Sequence, residues 1–298
     1  MSLAWGVDLG GTKIEAVVLE TTSGEVAHRK RIPTEAIGGY DHILSRIKEL
    51  LDLVATESAL PLPQRLGIGT PGSTGKNGLL KNSNTVCLNG KPFQADLAEI
   101  LGSEVICAND ANCFALAEAT LGAAKGAKVV FGVIMGTGVG GGIVVNGQVI
   151  NGLQGIAGEW GHIVLEPDGE SCYCGHRGCV ETILSGPALE RFYLKQSGRN
   201  LHLKEIVDLA QSRSDEYAVA TIARLMERFG AAISLVVNVL DPDVIVLGGG
   251  VGNISELLTL GRESLERCVF NPTLETRLIQ PALGDSAGVF GAAMLVGQ

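Results

Sequence analysis

The chain has 298 residues, of which 41 are glycine, roughly twice the usual share for a globular protein. There is no three-residue period and only 10 prolines, so the glycines make neither a triple helix nor a low-complexity tail, and a hydrophobic content of 46% excludes disorder. Lys+Arg 23 against Asp+Glu 32 gives a net charge of −9, which argues against an electrostatic grip on a nucleic-acid backbone while leaving room for local phosphate binding.

The opening MSLAWGVDLGGTK has no basic stretch followed by an apolar core and a small-residue cleavage site, so no secretory signal is read and a cytoplasmic location is expected. From residue 3, LAWGVDLGGTKIEAVVLE reads as strand, glycine turn and strand, with Asp8 ending the first strand and Gly10 and Gly11 in the turn. Helical periodicity covers residues 40–57. Residues 103–108 read as a strand that ends at Asn109 and Asp110, just before a helix over 113–121. The glycine-punctuated stretch 122–128 suggests a boundary.

The first pattern returns in VVFGVIMGTGVGGGIVVNGQVI, with its turn over 136–142, and looks like an internal duplication. Residues 129–158 carry no charge, but glycines break them into short strands, so no membrane span is expected. Helical periods over 186–196, 203–212 and 217–240 lead to DPDVIVLGGGVGN, a strand that ends in glycines with a helix after it. The last segment, SAGVFGAAMLVGQ, reads as a short apolar helix. The alternation points to an α/β protein of two similar halves sharing a cleft: residues 1–121, with 286–298 packing back on them, and residues 122–285.

Gly136, Gly138 and Gly141 fit GxGxxG after a strand, yet a dinucleotide loop opens a helix, whereas residues 143–150 are β-branched and broken by Asn146–Gly147, a hairpin turn. The P-loop order fails as well, because Thr12 precedes Lys13. Two glycine hairpins let backbone N–H groups approach phosphate oxygens in an anion nest that needs little net positive charge. For one cluster a plain tight turn is the better reading; a duplicated pair with Asp8 and Thr12 or Thr137 beside it favours phosphate.

Seven cysteines, an odd number, argue against a disulfide framework. Cys172, Cys174 and Cys179 lie within eight residues, and His162 stands ten residues upstream. Three thiolates and an imidazole complete a tetrahedral Zn²⁺ shell with no open position, hence a structural metal; three free thiols are the alternative. Cys87, Cys107, Cys113 and Cys268 are expected to be ordinary buried side chains. Asp110 has two readings at a strand-to-helix junction, a helix N-cap or a general base.

DLGGTK, GTGVGGG and the cluster at Gly248, Gly249 and Gly250 resemble the two phosphate segments and the adenosine segment of the sugar kinase and actin superfamily. Within it, CYCGHRGCVE at 172–181 matches the CxCGxxGCxE signature of ROK-family kinases, and NDANCFALAEA and GEWGH match their sugar-site motifs. The resemblance runs from Gly6 to the C-terminus, and residues 81–93 together with the Trp of GEWGH look most like fructokinases and mannokinases.

It implies two actin-like, ribonuclease H-like lobes with a zinc-binding loop in the second, and ATP-dependent phosphorylation of a hexose at its 6-hydroxyl. Fructose or mannose is the first expectation; glucose or an N-acetylhexosamine is the alternative. It further implies Asp110 as general base, Gly72, Asn84, Asn109, Glu159, His162 and Glu181 around the sugar, and Asp8 on Mg²⁺. Gly10, Gly11, Thr12, Gly136, Thr137 and Gly138 would face the phosphates of ATP, and a homodimer is implied. Repressors of the family carry a helix-turn-helix ahead of the kinase-like core, whereas this chain enters its first phosphate strand by about Ala4, which favours an enzyme.

Overall fold

A computed structural model describes residues 3–298. The chain opens with strands β1 (Leu3–Leu9), β2 (Lys13–Glu20) and β3 (Val26–Pro33), then helix α1 (Tyr40–Ser58) and β4 (Arg65–Thr70). A small hairpin, β5 (Ser73–Thr74) and β6 (Leu80–Lys81), precedes α2 (Phe93–Leu101), β7 (Glu104–Asn109) and α3 (Asp110–Thr120). Next come β8 (Val129–Met135), β9 (Val139–Val145) and β10 (Gln148–Val149). Four helices follow: α4 (Glu181–Leu184), α5 (Gly186–Ser197), α6 (Leu203–Gln211) and α7 (Glu216–Leu240). The chain closes with β11 (Val244–Gly248), α8 (Gly249–Gly252), α9 (Leu260–Glu266), β12 (Arg277–Ile279) and α10 (Ala287–Met294).

Two sheets have the same plan, β3-β2-β1-β4-β7 and β10-β9-β8-β11-β12. In each, an outer pair is antiparallel, β2 with β3 and β9 with β10, and the other side runs parallel, β1-β4-β7 and β8-β11-β12. The duplication read from the glycine turns is thus a duplication of sheets. Asn146 and Gly147 both have positive φ, 51° and 79°, the two-residue turn that matches strand twist between β9 and β10.

The chain divides into two compact units. One comprises the chain up to Gly126 together with Gly142–Ala157 and Ala282–Gln298; the other comprises Ala127–Gly141 and Gly158–Pro281. This differs from the expected division at 121/122 and 285/286: residues 142–157, assigned by sequence order to the second half, count with the first. Local composition carries no trace of that, because the assignment rests on packing between residues far apart in the chain.

In the first unit, the period of two sends alternate β2 residues to opposite faces. Ile14, Ala16 and Val18 join Ile43, Ile47, Leu50 and Val54 of α1 in one core, while Val17 and Leu19 meet Val289 and Ala293 of α10 in another. Each such buried aliphatic contributes about 1.5–3 kcal/mol, far more than the tenths separating helix propensities, so packing decides where α1 lies.

Glycine sets the second face. Gly6 and Gly67 are register partners on β1 and β4. A Cβ on Gly6 would strike the Ala293 backbone, one on Gly67 the Ala292 carbonyl, and one on Gly291 the Cys113 carbonyl of α3. The helix therefore lies backbone against backbone. Its approach is fixed by Glu118, wholly buried on α3, whose carboxylate accepts from the N–H groups of Ala282, Leu283 and Ala123 at 2.8–3.1 Å.

In the second unit α7 is the long scaffold. Asp215 caps it by accepting from the Tyr217 and Ala218 N–H groups, and Asp241, at φ 48°, ends it. No helix among the described residues is long and apolar enough to cross a membrane.

Candidate active site and metal cluster

The carboxyl end of β7 runs directly into α3, and the junction separates the two readings of Asp110. Asn109, with φ −63° and ψ 150°, is the cap: its Oδ1 accepts from the Ala111 N–H at 2.8 Å, and its Nδ2 donates to the Gly72 carbonyl at 3.2 Å. Asp110 is the first helical residue; one of its oxygens accepts from the same Ala111 N–H at 2.8 Å. With capping assigned to its neighbour, the other carboxylate oxygen of Asp110 is available for chemistry. The side chain reaches solvent, yet burial by the surrounding protein pushes its carboxyl above the ordinary range, against the pull of the Ala111 N–H.

Asp8, near the end of β1, belongs to the same acidic group. Burial pushes its carboxyl up to about 6, and the charges of Asp110 and Glu15 add to the rise, opposed by Lys13 and Arg31. Glu15 is buried too, but Arg29 and Arg31 pair with it and hold its carboxyl below the usual range. Asp8 is thus, with Asp110, a raised member of a carboxylate group, the electrostatic setting that a divalent cation relieves. Gly72 sits at φ 83° with no space for a Cβ against the Lys81–Ser83 backbone, so its turn is obligatory for glycine, and Asn84 is exposed.

The second unit gathers the other expected sugar-side residues. Glu181 opens α4, and its Oε2 accepts from the Val139 N–H at 2.9 Å. A Cβ on Gly138 would lie 2.7 Å from that oxygen, so this glycine is needed for the approach of Glu181. His162 points Nδ1 at the Cys172 sulfur, 3.6 Å away, and Nε2 at the Tyr173 hydroxyl, 3.0 Å away. Burial pushes the Tyr173 phenol up to about 12, and the charges of Glu181 and Glu159 add to that. His162 thus contacts Tyr173, a residue that sequence reading passed over because it is one of the x positions inside the cysteine signature, and Tyr173 also feels the charges of Glu159 and Glu181.

Four potential metal ligands, His162, Cys172, Cys174 and Cys179, have their donor atoms within 4.8 Å of one another. A tetrahedron with Zn–S about 2.3 Å and Zn–N about 2.0 Å has edges of roughly 3.4–3.8 Å. The Cys174–Cys179 sulfur pair and the Cys172–His162 pair, both at 3.6 Å, meet that requirement. Gly175 and Gly178, at φ 94° and 65°, turn the chain back between Cys174 and Cys179. Glu166, facing Arg224 and Arg228 of α7, anchors the loop. Of the remaining cysteines only Cys113 is buried; Cys87 and Cys107 are partly so, and Cys268 is exposed, against expectation, beyond the end of α9.

The expected nucleotide glycines are not alike. Gly250 has open space where a Cβ would stand, and a Cβ on Gly11 or Gly136 would make only ordinary contacts, at 3.7 Å and 4.0 Å. Gly10 is committed to its turn, its N–H donating to the Lys13 carbonyl at 3.0 Å. Gly249, at φ 82°, packs on the Met135 backbone, and Gly248 is buried at the end of β11. Thr12 and Thr137 are exposed in their turns. Trp160 is buried, edge-on to Phe131, with its indole N–H donating to the Gly140 carbonyl at 2.8 Å.

Comparison with known proteins covers the whole described chain. The ROK family model matches residues 4–298. An N-acetyl-D-glucosamine kinase from Pectobacterium atrosepticum is 35% identical over 98% of both chains. A ROK hexokinase from Thermus thermophilus superposes with a TM-score of 0.88 at 32% identity, covering 99% of this chain and 98% of that one. A ROK family glucokinase from Streptomyces griseus, crystallised with glucose and AMPPNP, gives 0.79 at 28% identity over 100% of both.

Proposed function

The chain belongs to the ROK family and has the mixed α/β, actin-like fold of its sugar kinases, and we propose that it is an ATP-dependent kinase that phosphorylates the 6-hydroxyl of N-acetyl-D-glucosamine. The observation that carries the kinase chemistry is the division of labour at the head of α3: Asn109 caps the helix, and Asp110 presents a carboxylate with a raised pKa. A general base works best when its pKa lies near the working pH, and a carboxyl above its ordinary range moves in that direction.

In this reading Asp110 takes the proton of the attacking hydroxyl. Asn109 and the Gly72 turn hold the strand end that carries it, and Glu159, His162 and Glu181 bind sugar hydroxyls. The raised carboxyl of Asp8 suits Mg²⁺, which when bound offsets charge on the transferring phosphoryl group. The absence of a Cβ at Gly11 and Gly250 lets phosphate or nucleotide come close to the backbone there, whereas the Gly136 N–H is spent on its own turn, donating to the Gly138 carbonyl at 2.9 Å. His162, Cys172, Cys174 and Cys179 would hold Zn²⁺, whose contribution is to tie the segment bearing Glu159 and His162 to the one bearing Glu181.

Support for the sugar comes from relatives named N-acetyl-D-glucosamine kinase, 34–35% identical over 98% of each length. Fructose or mannose rests on the resemblance of residues 81–93 and of Trp160, and the buried Trp160 acts in packing. A coupled assay of ADP release with N-acetylglucosamine, N-acetylmannosamine, glucose, fructose and mannose tests the proposal. The highest kcat/KM is expected for N-acetylglucosamine; absence of sugar-stimulated release with every member would overturn the kinase reading.

A further inference from the structure

Beside the head of α3, within the first unit, lies a cavity of about 240 Å³. Water occupies about 30 Å³ in the liquid, so the space holds far more than one bridging molecule. Ser73 and Asn112 line it, and they are 8% and 5% exposed. The Ser73 Oγ and the Asn112 Oδ1 are both buried without a hydrogen-bond partner in the protein. Buried polar atoms without partners are rare and costly, about 1–3 kcal/mol each, and two on one cavity wall define what should enter.

The Asn112 oxygen can only accept, so it asks for an N–H donor. The Ser73 hydroxyl can donate to a carbonyl. Asn112 Nδ2 faces Asn151 Oδ1 at 3.4 Å, which fixes the amide with its oxygen directed elsewhere. Cys107, Ala108 and Leu153 supply apolar wall, and no carboxylate lines the space. Thr70, Thr74, Lys76 and Asn151 line it as well, but the Asn112 acceptor and the Ser73 donor are the two buried atoms left without partners, and with the apolar stretch they complement a secondary amide bearing a methyl group. Asn109 also lines the cavity, one residue before Asp110. Residues two apart on a helix do not face each other, so Asp110 and Asn112 serve different sides of the α3 head. A sugar ring likewise carries its 2-substituent across from its 6-hydroxyl.

We infer that this cavity receives the 2-acetamido group of an N-acetylhexosamine, with Ser73 donating to its carbonyl and Asn112 accepting from its N–H. The inference rests on the proposed kinase function and names the residues that set its sugar preference. A hexose with a free 2-hydroxyl has a single oxygen with which to donate to Asn112 and accept from Ser73, and it leaves the methyl wall bare.

The test is the ratio of kcat/KM for N-acetylglucosamine to that for glucose, measured on the full-length protein. Ser73→Ala removes a hydroxyl that has no partner in the protein, so the fold loses no hydrogen bond, and the ratio should fall about tenfold. Ser73→Thr keeps the hydroxyl and should hold the ratio within a few-fold. Asn112→Leu should lower it by on the order of 10²-fold, since the substrate N–H is left unpaired. Ratios unchanged in both Ser73→Ala and Asn112→Leu would mean that water alone satisfies these atoms, and would overturn the inference, as would a wild-type protein that phosphorylates glucose but no N-acetylated sugar. Either result leaves the kinase reading standing. Turnover of no sugar at all removes that reading first.

Discussion

The two sheets repeat one plan, but the two units are packed by different means. In the first, glycines on β1, β4 and α10 let backbones meet, and a buried carboxylate, Glu118, fixes the approach of α10. In the second, Glu159 and His162 stand on a short connecting segment and Glu181 opens α4, and three cysteines and a histidine there have their donor atoms within 4.8 Å of one another. A close-packed face can do without a metal because its backbone hydrogen bonds and buried area suffice. Short loops bury little on their own, and the four gathered side chains would crosslink them with a metal bound.

The contrast fails or sharpens at defined points. The largest effect is expected at the head of α3: with Asp110 as the proposed base, Asp110→Asn should lower kcat by on the order of 10²–10⁴ and leave sugar affinity by calorimetry nearly unchanged. Near-normal turnover would remove Asp110 as base. Gly67→Ala pushes a methyl into the Ala292 carbonyl and should destabilise the fold by roughly 3 kcal/mol, read as a lowered denaturation midpoint, with the metal content per folded chain intact. If metal were lost in parallel, the two devices would not be independent.

Acid offers a third probe. Asp110 accepts a proton only when ionised, and its carboxyl lies above the ordinary range; Asp8, pushed up to about 6, binds a cation only when ionised. The rate should therefore be flat above pH about 6 and fall about tenfold per unit below it, whereas ordinary aspartates would hold it level down to about pH 4. A profile flat to pH 4 would contradict the raised values.

In the second unit, Cys174→Ser should reduce zinc measured by atomic absorption and raise the KM for sugar roughly tenfold, with a smaller effect on kcat. Sugar kinetics indifferent to zinc loss would make the cluster a passive staple. The smallest change is expected from Gly138→Ala, whose methyl displaces the Glu181 carboxylate from the Val139 N–H and should raise KM a few-fold with metal retained.

Much of this was legible in the residues. Hydrophobic period located α1, α5, α6 and α7 to within two residues, because each buries one stripe on a single core. Asn146–Gly147 gave the β9–β10 turn through its demand for two positive φ angles. Helix α2 went unread: it is short and shows only two buried anchors, Phe93 and Leu97. The glycines could be counted but not sorted. Gly6, whose role is to admit a helix, and Gly11, where a Cβ would make only an ordinary contact with Thr85, look alike until the distant partner is known. The same limit applies to the cap: Asn109 and Asp110 are equally good candidates by type, and only backbone geometry makes Asn109 the one. The unpartnered atoms of Ser73 and Asn112 were invisible for the same reason, since an unmet hydrogen bond is a property of surroundings.

The position of Ala282–Gln298 in the first unit bears on how the molecule is made. A ribosome delivers residues in order, and chains usually fold their leading domain first. Here the leading unit lacks α10 until all of the second unit has been synthesised, so the Gly6 and Gly67 face and the Val17–Leu19 core stay uncovered through most of translation. The trailing unit, complete at Pro281, has everything it needs before the leading one does. The nascent chain should therefore gain protection from its later half backwards, and it carries an uncovered strand face that a chaperone could shelter until the last helix arrives.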